Sequence, residues 1–152
     1  MKKVLAILLT AAIALITISL CGCGPYHHYD YTGELDNIAS VEILDITYIS
    51  GYEEELEYEV KRVFDMDEWA QVISDASLLD YSSPFPNPVY WREGLALKIA
   101  FVEPVDGKAY VFLTRWAPVF AEIKDGKINL ESYSPACDEE QWNAFIEKYL
   151  GE

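Results

Sequence analysis

The sequence predicts an α+β protein: a two-layer sandwich in which a mainly antiparallel sheet of about six strands, in the order ββαββββα, carries two amphipathic helices on one face. Two Asp-Gly pairs, Asp106-Gly107 and Asp125-Gly126, separate alternating apolar runs, which is the strongest short signal of a β-hairpin. Two other segments have apolar residues at helical spacing. The chain has 152 residues and is 51% hydrophobic, which suffices for one packed domain.

The first two strands are expected at residues 40–49 and 56–64. In the first, Val41 and Ile43 share one parity whereas Leu44 begins a series on the other, which indicates either a bulge or a strand covered on both faces. The second alternates sharply, and its predicted inner face consists of Leu56, Tyr58 and Val60. Together they predict a half-exposed antiparallel hairpin.

A helix is expected next, within residues 64–80. Asp65 has the character of an N-cap, with Glu68 three residues later as its reciprocal partner. The predicted buried stripe consists of Met66, Trp69, Val72, Ile73, Ala76 and Leu79.

The Pro-aromatic segment, residues 81–94, follows with the sequence YSSPFPNPVYWREG. Its three prolines exclude both a helix and a central strand. Loops on a rigid scaffold often carry binding, and exposed aromatic side chains supply large contact areas for proteins or sugars. The candidate binding residues are Tyr81, Phe85, Tyr90, Trp91 and Arg92. The alternative is that this loop folds onto the core and its aromatic side chains cover one end of the sheet.

The two Asp-Gly turns predict a four-strand meander over residues 95–132. A second helix then begins after Asp138, the expected N-cap, with Gln141 as its reciprocal partner. Its predicted buried stripe consists of Trp142, Phe145, Ile146, Tyr149 and Leu150.

The formal net charge is −15, from 26 acidic and 11 basic residues. Nucleic-acid binding requires Lys and Arg to displace phosphate counterions, so no nucleic-acid partner is expected. Five glutamates, Glu53, Glu54, Glu55, Glu57 and Glu59, surround the first predicted hairpin. They form either a solvated edge that charge protects against edge-to-edge pairing, which we favour, or a face for a basic partner or divalent ions.

The amino-terminal residues have the pattern of an export signal. Lys2 and Lys3 precede an apolar run from Val4 to Leu20, which is near the lower length limit for a membrane span. No Lys or Arg follows this run until Lys61, so the basic flank of a stop-transfer segment is missing.

The four residues Leu20-Cys21-Gly22-Cys23 resemble the lipobox of bacterial lipoproteins. The resemblance covers residues 1–23 and implies a signal peptide (1–22) that is removed before Cys23, whose sulfur carries a diacylglyceryl group. Cys21 would place the bulky Leu20 where a small residue is expected, so Cys23 is the predicted lipidation site. Residues 23–39 are then the lipidated N-terminus and a tether, and residues 40–152 a single α+β domain held at the extracytoplasmic face of the cell membrane.

No catalytic residue, metal site or cofactor is predicted. Both histidines, His27 and His28, lie in the expected tether, and adjacent side chains on an extended chain point in opposite directions, which disfavours a shared metal ion. Cys137 precedes a helix, where the helix dipole raises thiol reactivity, but free cysteines are usually small buried residues, and we favour burial.

Two classes of function fit these observations. The first is a non-catalytic, membrane-tethered module that binds a protein or polymer of the cell envelope, and the second is an extracytoplasmic carboxylate-based hydrolase. We favour the first, because no constellation of catalytic type is visible. The folded part loosely resembles small bacterial lipoproteins of unassigned function, which implies no particular activity.

Overall fold

The computed structural model describes residues 27–48, 53–82, 93–132 and 136–151. The strands are β1 (Ile38–Tyr48), β2 (Glu57–Val63), β3 (Tyr81–Ser82), β4 (Gly94–Val105), β5 (Lys108–Thr114), β6 (Val119–Lys124), β7 (Lys127–Ser132) and β8 (Ala136–Cys137). The helices are α1 (Met66–Ser77) and α2 (Glu139–Leu150), and two short 3-10 helices occupy Thr32–Asn37 and Glu53–Glu55.

Six strands form an antiparallel sheet in the order β2-β1-β4-β5-β6-β7, and the predicted α+β fold class is confirmed. The meander β4-β5-β6-β7 follows the chain, whereas β1 lies between β2 and β4. The two short strands β3 and β8 pair with each other outside this sheet.

Both predicted Asp-Gly turns are present. Asp106 and Gly107 join β4 to β5 with φ angles of 49° and 78°, and Asp125 and Gly126 join β6 to β7 with φ angles of 52° and 74°. A two-residue hairpin loop needs positive φ at both positions, and Asp followed by Gly tolerates this best.

Both faces of the central strands are buried. One face packs against α1 and α2 in a large hydrophobic cluster that includes Val41, Ile43 and Leu97. The opposite face forms a second cluster, and from β1 it receives Leu44 and Ile46. The parity change in the β1 sequence therefore reflects a strand covered on both faces. A bulge is also present, because the pairing of β1 with β2 shifts between Ile43 and Leu44.

The predicted inner face of β2 is more exposed than expected. Tyr58 and Val60 lie opposite Ile46 and Leu44 in the pairing of β2 with β1, yet their side chains are 44% and 45% exposed. The strand β2 is at the edge of the sheet, so a β2 side chain has a strand neighbour on one side only.

Helix α1 begins with the predicted capping box. The Glu68 carboxylate accepts a hydrogen bond from the Asp65 backbone N–H at 3.0 Å, and the Asp65 side chain accepts from the N–H of Glu68. The buried residues of the stripe are Val72, Ile73, Ala76 and Leu79. Met66 is an exception to the predicted stripe: its side chain is 76% exposed, at the first position of the helix.

Helix α2 begins at the predicted N-cap, because the Asp138 carboxylate accepts a hydrogen bond from the Gln141 N–H at 3.0 Å. The Gln141 side chain does not return to Asp138 and instead pairs with Asp80. The predicted stripe of α2 is buried except for Leu150, which is partly buried. A polar contact joins the helices, since Lys148 and Tyr149 of α2 both donate hydrogen bonds to the Asp75 carboxylate of α1.

The end of the expected tether is part of the fold, so the ordered structure begins before residue 40, the predicted domain start. The strand β1 already begins at Ile38, which is buried. The preceding residues Tyr29, Tyr31 and Leu35 pack against the large hydrophobic cluster. Burial of these aromatic and apolar side chains stabilises the packing of the segment against the core. The Gly, Asp and Asn residues around them had instead indicated a tether.

Candidate functional site

The sequence-predicted binding residues are only partly within the described structure. Tyr81 is fully buried, and its hydroxyl donates a hydrogen bond to the Thr114 carbonyl at 3.2 Å, so this side chain belongs to the core. The remaining candidates, Phe85, Tyr90, Trp91 and Arg92, lie outside the described residues, as do Cys21 and Cys23. Binding by the Pro-aromatic segment and lipidation of Cys23 therefore stay predictions.

The amino-terminal segment of residues 27–31 is held against β3 and the sheet. His27 and Tyr81 exchange two backbone hydrogen bonds, of 2.8 and 3.1 Å. The Tyr29 ring meets the Tyr81 ring edge-on, with centroids 5.1 Å apart, and lies 5.7 Å from the Phe120 ring. The Tyr31 ring lies 5.5 Å from that of Phe101. This segment thus forms a fixed wall.

A cleft of about 470 Å³ lies between this wall and the β4–β5 hairpin. Ligand sites of small molecules usually occupy about 300 to 1,000 Å³, so the volume suits a small ligand. The lining residues are His28, Tyr29, Asp30, Tyr31, Val105, Asp106, Lys108, Phe120 and Glu122. We call this site the N-terminal cleft.

The two aspartates of the N-terminal cleft are positioned by local structure. Asp30 accepts hydrogen bonds from the backbone N–H and the hydroxyl of Thr32, at 2.8 and 2.7 Å. These two bonds lower the pKa of Asp30, so it is ionised at neutral pH. Asp106 is the first residue of the β4–β5 turn, where its positive φ is set by the two-residue loop.

The tyrosines of the cleft remain protonated. Burial raises the pKa of Tyr29, and burial, followed by electrostatic repulsion from Tyr29 and Asp106, raises the pKa of Tyr31. Both side chains therefore present an uncharged ring and a hydroxyl group that can donate a hydrogen bond.

The Lys108 ammonium group lies over the Phe120 ring, 5.4 Å from its centroid, and 3.4 Å from the Asp106 carbonyl oxygen. Glu122 is paired with Lys124 at 3.1 Å. The cleft therefore combines aromatic faces with charges of both signs, and its carboxylates outnumber its ammonium group by three to one.

Two further cavities are smaller. One of about 190 Å³ lies at the carboxyl-terminal boundary of the Pro-aromatic segment, between Glu93, Arg115 and Trp142. There Arg115 stacks over the Trp116 ring at 4.5 Å and pairs with Glu139. The other, of about 330 Å³, is a shallow groove between α1 and α2.

The thiol of Cys137 is buried, which confirms the prediction of a small buried residue. Burial, followed by the negative charges of Asp138 and Asp80, raises its pKa to about 12. The thiolate is the reactive form of cysteine, so Cys137 is chemically inert in the folded protein at neutral pH.

The predicted acidic face at the first hairpin is not continuous. Glu53, Glu54 and Glu55 form a short 3-10 helix rather than a strand, and Glu53 accepts a hydrogen bond from the Tyr110 hydroxyl at 2.8 Å. Glu59 is paired with Lys61 at 2.8 Å. Glu53, Glu54 and Glu55 therefore do not lie on one strand face with Glu57 and Glu59, so the glutamates do not form the continuous acidic face that was the less favoured alternative.

Within residues 27–48, 53–82, 93–132 and 136–151, no group of three or more His, Cys, Asp or Glu side chains is arranged to hold a metal ion. In the same part of the chain, no helix has both the length and the apolar character needed to cross a membrane.

Comparison with protein-family models, curated proteins and solved structures finds no match to this chain.

The N-terminal cleft was not predicted from the sequence, because residues 23–39 were expected to form a tether. The Gly, Pro, Asp and Asn of residues 23–39 are typical of a linker. A counter-signal was present in residues 26–31, YHHYDY, where three of six residues are tyrosine. Disordered, solvated linkers contain few aromatic residues, so this composition indicates a segment that packs against the fold. The contributions of Lys108, Phe120 and Glu122 depend on strand pairing, which no local pattern reveals.

Proposed function

We propose that this chain is a lipid-anchored, extracytoplasmic lipoprotein whose folded domain is a non-catalytic binding module of the cell envelope. The N-terminal cleft is its ligand site in this proposal. The observation that carries it is the cleft itself, in which Tyr29, Tyr31 and Phe120 provide ring surface beside ionisable groups. Such a combination of apolar walls and a few polar groups is characteristic of ligand sites.

The position of the cleft along the chain supports a role near the membrane. His27 is already part of the fold through its bridge to Tyr81. Four peptide steps separate it from Cys23, and an extended chain spans at most about 3.6 Å per residue, so the two Cα atoms lie within about 14 Å. With Cys23 lipidated, the cleft wall follows the anchor almost directly, so a ligand in the cleft is bound close to the bilayer.

The hydrolase alternative requires a carboxyl group that donates a proton, and such a group needs a raised pKa. In the N-terminal cleft, the hydrogen bonds from Thr32 lower the pKa of Asp30, so Asp30 is an ionised acceptor and not a proton donor. The inert thiol of Cys137 likewise does not provide a nucleophile. We therefore favour binding over hydrolysis.

Mass spectrometry of the mature amino-terminal peptide tests the anchor. The wild-type peptide should begin at Cys23 and carry the diacylglyceryl mass, and Cys21→Ser, the matched control, should give the same modified terminus. Cys23→Ser should leave an unlipidated precursor. Membrane localisation alone is a poor readout, because an uncleaved apolar segment also retains the precursor. A mature terminus elsewhere, or an unmodified Cys23 in the wild type, would contradict the proposal.

Ligand binding is tested separately from the anchor. Cleft residues should show the chemical-shift changes when the full-length protein in nonionic micelles is titrated with cell-envelope fragments. Changes confined to other surfaces would place the binding site elsewhere and remove the cleft from the proposal.

A further inference from the structure

We infer that the N-terminal cleft recognises an organic ammonium cation, that is, a positively charged amine attached to an apolar group. This inference rests on the proposed function, because it names the ligand class of the same site. It is carried by the presence of Asp30 and Asp106 among the residues that line the same cleft as Tyr29 and Tyr31.

The charges of the cleft are not balanced internally. Glu122 forms an ion pair with Lys124, and Lys124 also pairs with Glu131. In the described parts of the chain, neither Asp30 nor Asp106 forms an ion pair, and Lys108 meets the backbone carbonyl of Asp106. The local excess is therefore negative, which attracts a cation and repels an anionic ligand.

The aromatic walls suit the same ligand. An ammonium group within about 6 Å of a ring centroid is attracted by the negative face of the ring, and quaternary ammonium ligands are commonly held in this way. The cleft already contains such a contact, because the Lys108 ammonium lies 5.4 Å from the Phe120 centroid. Burial keeps Tyr29 and Tyr31 protonated, so neither ring adds a phenolate charge to the cleft.

A neutral sugar is the main competing ligand, since rings and carboxylates also bind polyols. The charge decides between them. A sugar leaves the negative excess of the cleft unchanged, whereas a monovalent cation reduces it, and the net charge of −15 favours the approach of a cation at long range. Envelope components offer two sources of organic ammonium groups, namely the headgroups of lipids and small soluble amines.

The experiment compares two cations with neutral counterparts of nearly the same shape. Choline is paired with 3,3-dimethylbutan-1-ol, and 2-phenylethylammonium with 2-phenylethanol. Each is titrated into the full-length protein in nonionic micelles, and binding is followed by calorimetry and by chemical shifts of cleft residues. At least one cation should bind about tenfold or more tightly than its counterpart, and its affinity should fall as salt rises, because salt screens the attraction.

The two Asp-Gly turns provide a matched pair of variants. Asp106→Asn should weaken binding of the cation about tenfold. Asp125→Asn, at the equivalent turn position outside the cleft, should leave it unchanged. Asn tolerates the positive φ of 49° and 52° at these positions, so both variants should fold.

Vesicles separate the two sources of the cation. Phosphatidylcholine vesicles should compete with choline if the cleft accepts a lipid headgroup, and they should not compete if it takes only small soluble amines. Both outcomes support the inference.

The inference is overturned if neither cation binds more tightly than its neutral counterpart. Equal affinity of each cation and its neutral counterpart at the cleft would contradict the preference for a cation but would remain consistent with the proposed binding module. An unmodified Cys23, by contrast, would count against the proposed function and would leave these titrations unaffected.

Discussion

Gln141 and Asp80 are paired through two hydrogen bonds that join the first turn of α2 to the connection between α1 and β3. The Gln141 side-chain oxygen accepts from the Asp80 backbone N–H at 2.9 Å, and its amide group donates to the Asp80 carboxylate at 2.8 Å. A glutamine that the sequence assigns to capping its own helix therefore fastens that helix to a segment 61 residues away.

Removal of this pair should destabilise the domain. Gln141→Met keeps the side-chain length but leaves the Asp80 N–H without its partner, and we expect a loss of about 1 to 3 kcal/mol in the free energy of unfolding. Urea denaturation monitored by tryptophan fluorescence measures it. Gln71→Met is the control, because Gln71 makes an exposed contact within α1 and should change stability by at most about 0.5 kcal/mol. Equal effects of the two variants would contradict the role of Gln141.

Trp142 should be a principal core residue. Its side chain is 4% exposed and stacks with the Phe145 ring, with centroids 5.9 Å apart. Trp142→Ala should cost about 3 to 5 kcal/mol, as large-to-small core substitutions do. Met66→Ala, on an exposed helix position, should be close to neutral. A melting curve of Trp142→Ala that overlays the wild type would show that α2 does not dock as described.

The contact of Asp75 with α2 should make stability depend on acid pH. Burial raises the pKa of Asp75, but hydrogen bonds from Lys148, Tyr149 and Gln71 outweigh it, and the pKa is lowered overall. The folded state thus binds its proton less readily than the unfolded chain, and the stabilisation is present above about pH 4 and is lost as pH falls further. The stability difference between the wild type and Asp75→Asn should shrink below about pH 4.

Chemical denaturation at several pH values between about 3 and 7 measures this difference. The stability difference between the wild type and Lys148→Met should shrink over the same pH range, because this variant removes one of the donors to the Asp75 carboxylate. A difference between wild type and Asp75→Asn that stays constant over this range would show that another group controls the acid response.

The segment of residues 27–31 should be structural as well as ligand-binding. Tyr29→Ala removes ring contacts with Tyr81 and Phe120, and we expect a loss of about 2 kcal/mol. Thermal unfolding of the variant measures this loss. His27→Ala is the control, because it alters an exposed side chain of the same segment and keeps the backbone hydrogen bonds to Tyr81. If Tyr29→Ala is as stable as the wild type, the segment does not contribute to the stability of the fold and is a tether.

The Pro-aromatic segment keeps its own prediction. Trp91→Ala should weaken capture of an envelope partner while leaving thermal stability nearly unchanged, because a stiff loop with excess aromatic side chains suits binding. Tyr48→Ala changes an exposed aromatic residue outside the segment and should leave capture intact. A large loss of stability in Trp91→Ala would show that Trp91 is core instead.

The sequence was most informative where local chemistry decides the structure. Asp106-Gly107 and Asp125-Gly126 predicted both hairpins, because few residue pairs accept the backbone of such turns. The capping box of Asp65 and Glu68 was likewise predicted correctly. In each case the interacting residues are close neighbours along the chain.

The candidate site was not predictable in the same way. Its walls come from residues 28–31, from the β4–β5 turn and from β6, which meet only after the sheet has assembled. Periodicity also does not show which predicted inner face a neighbour will cover, so Tyr58 on the edge strand and Met66 at a helix start were misplaced. These positions depend on tertiary neighbours and not on local pattern.

The burial of Cys137 provides a built-in measure of conformational opening. With Cys23 acylated and Cys21 removed, Cys137 is the one sulfhydryl left for an alkylating reagent in the mature chain. Its β8 strand is paired with β3, and it shares a hydrophobic cluster with α2, so a reagent reaches it only when this part of the molecule opens. The alkylation rate of Cys137 in the native protein therefore reports the free energy of that opening without any added label.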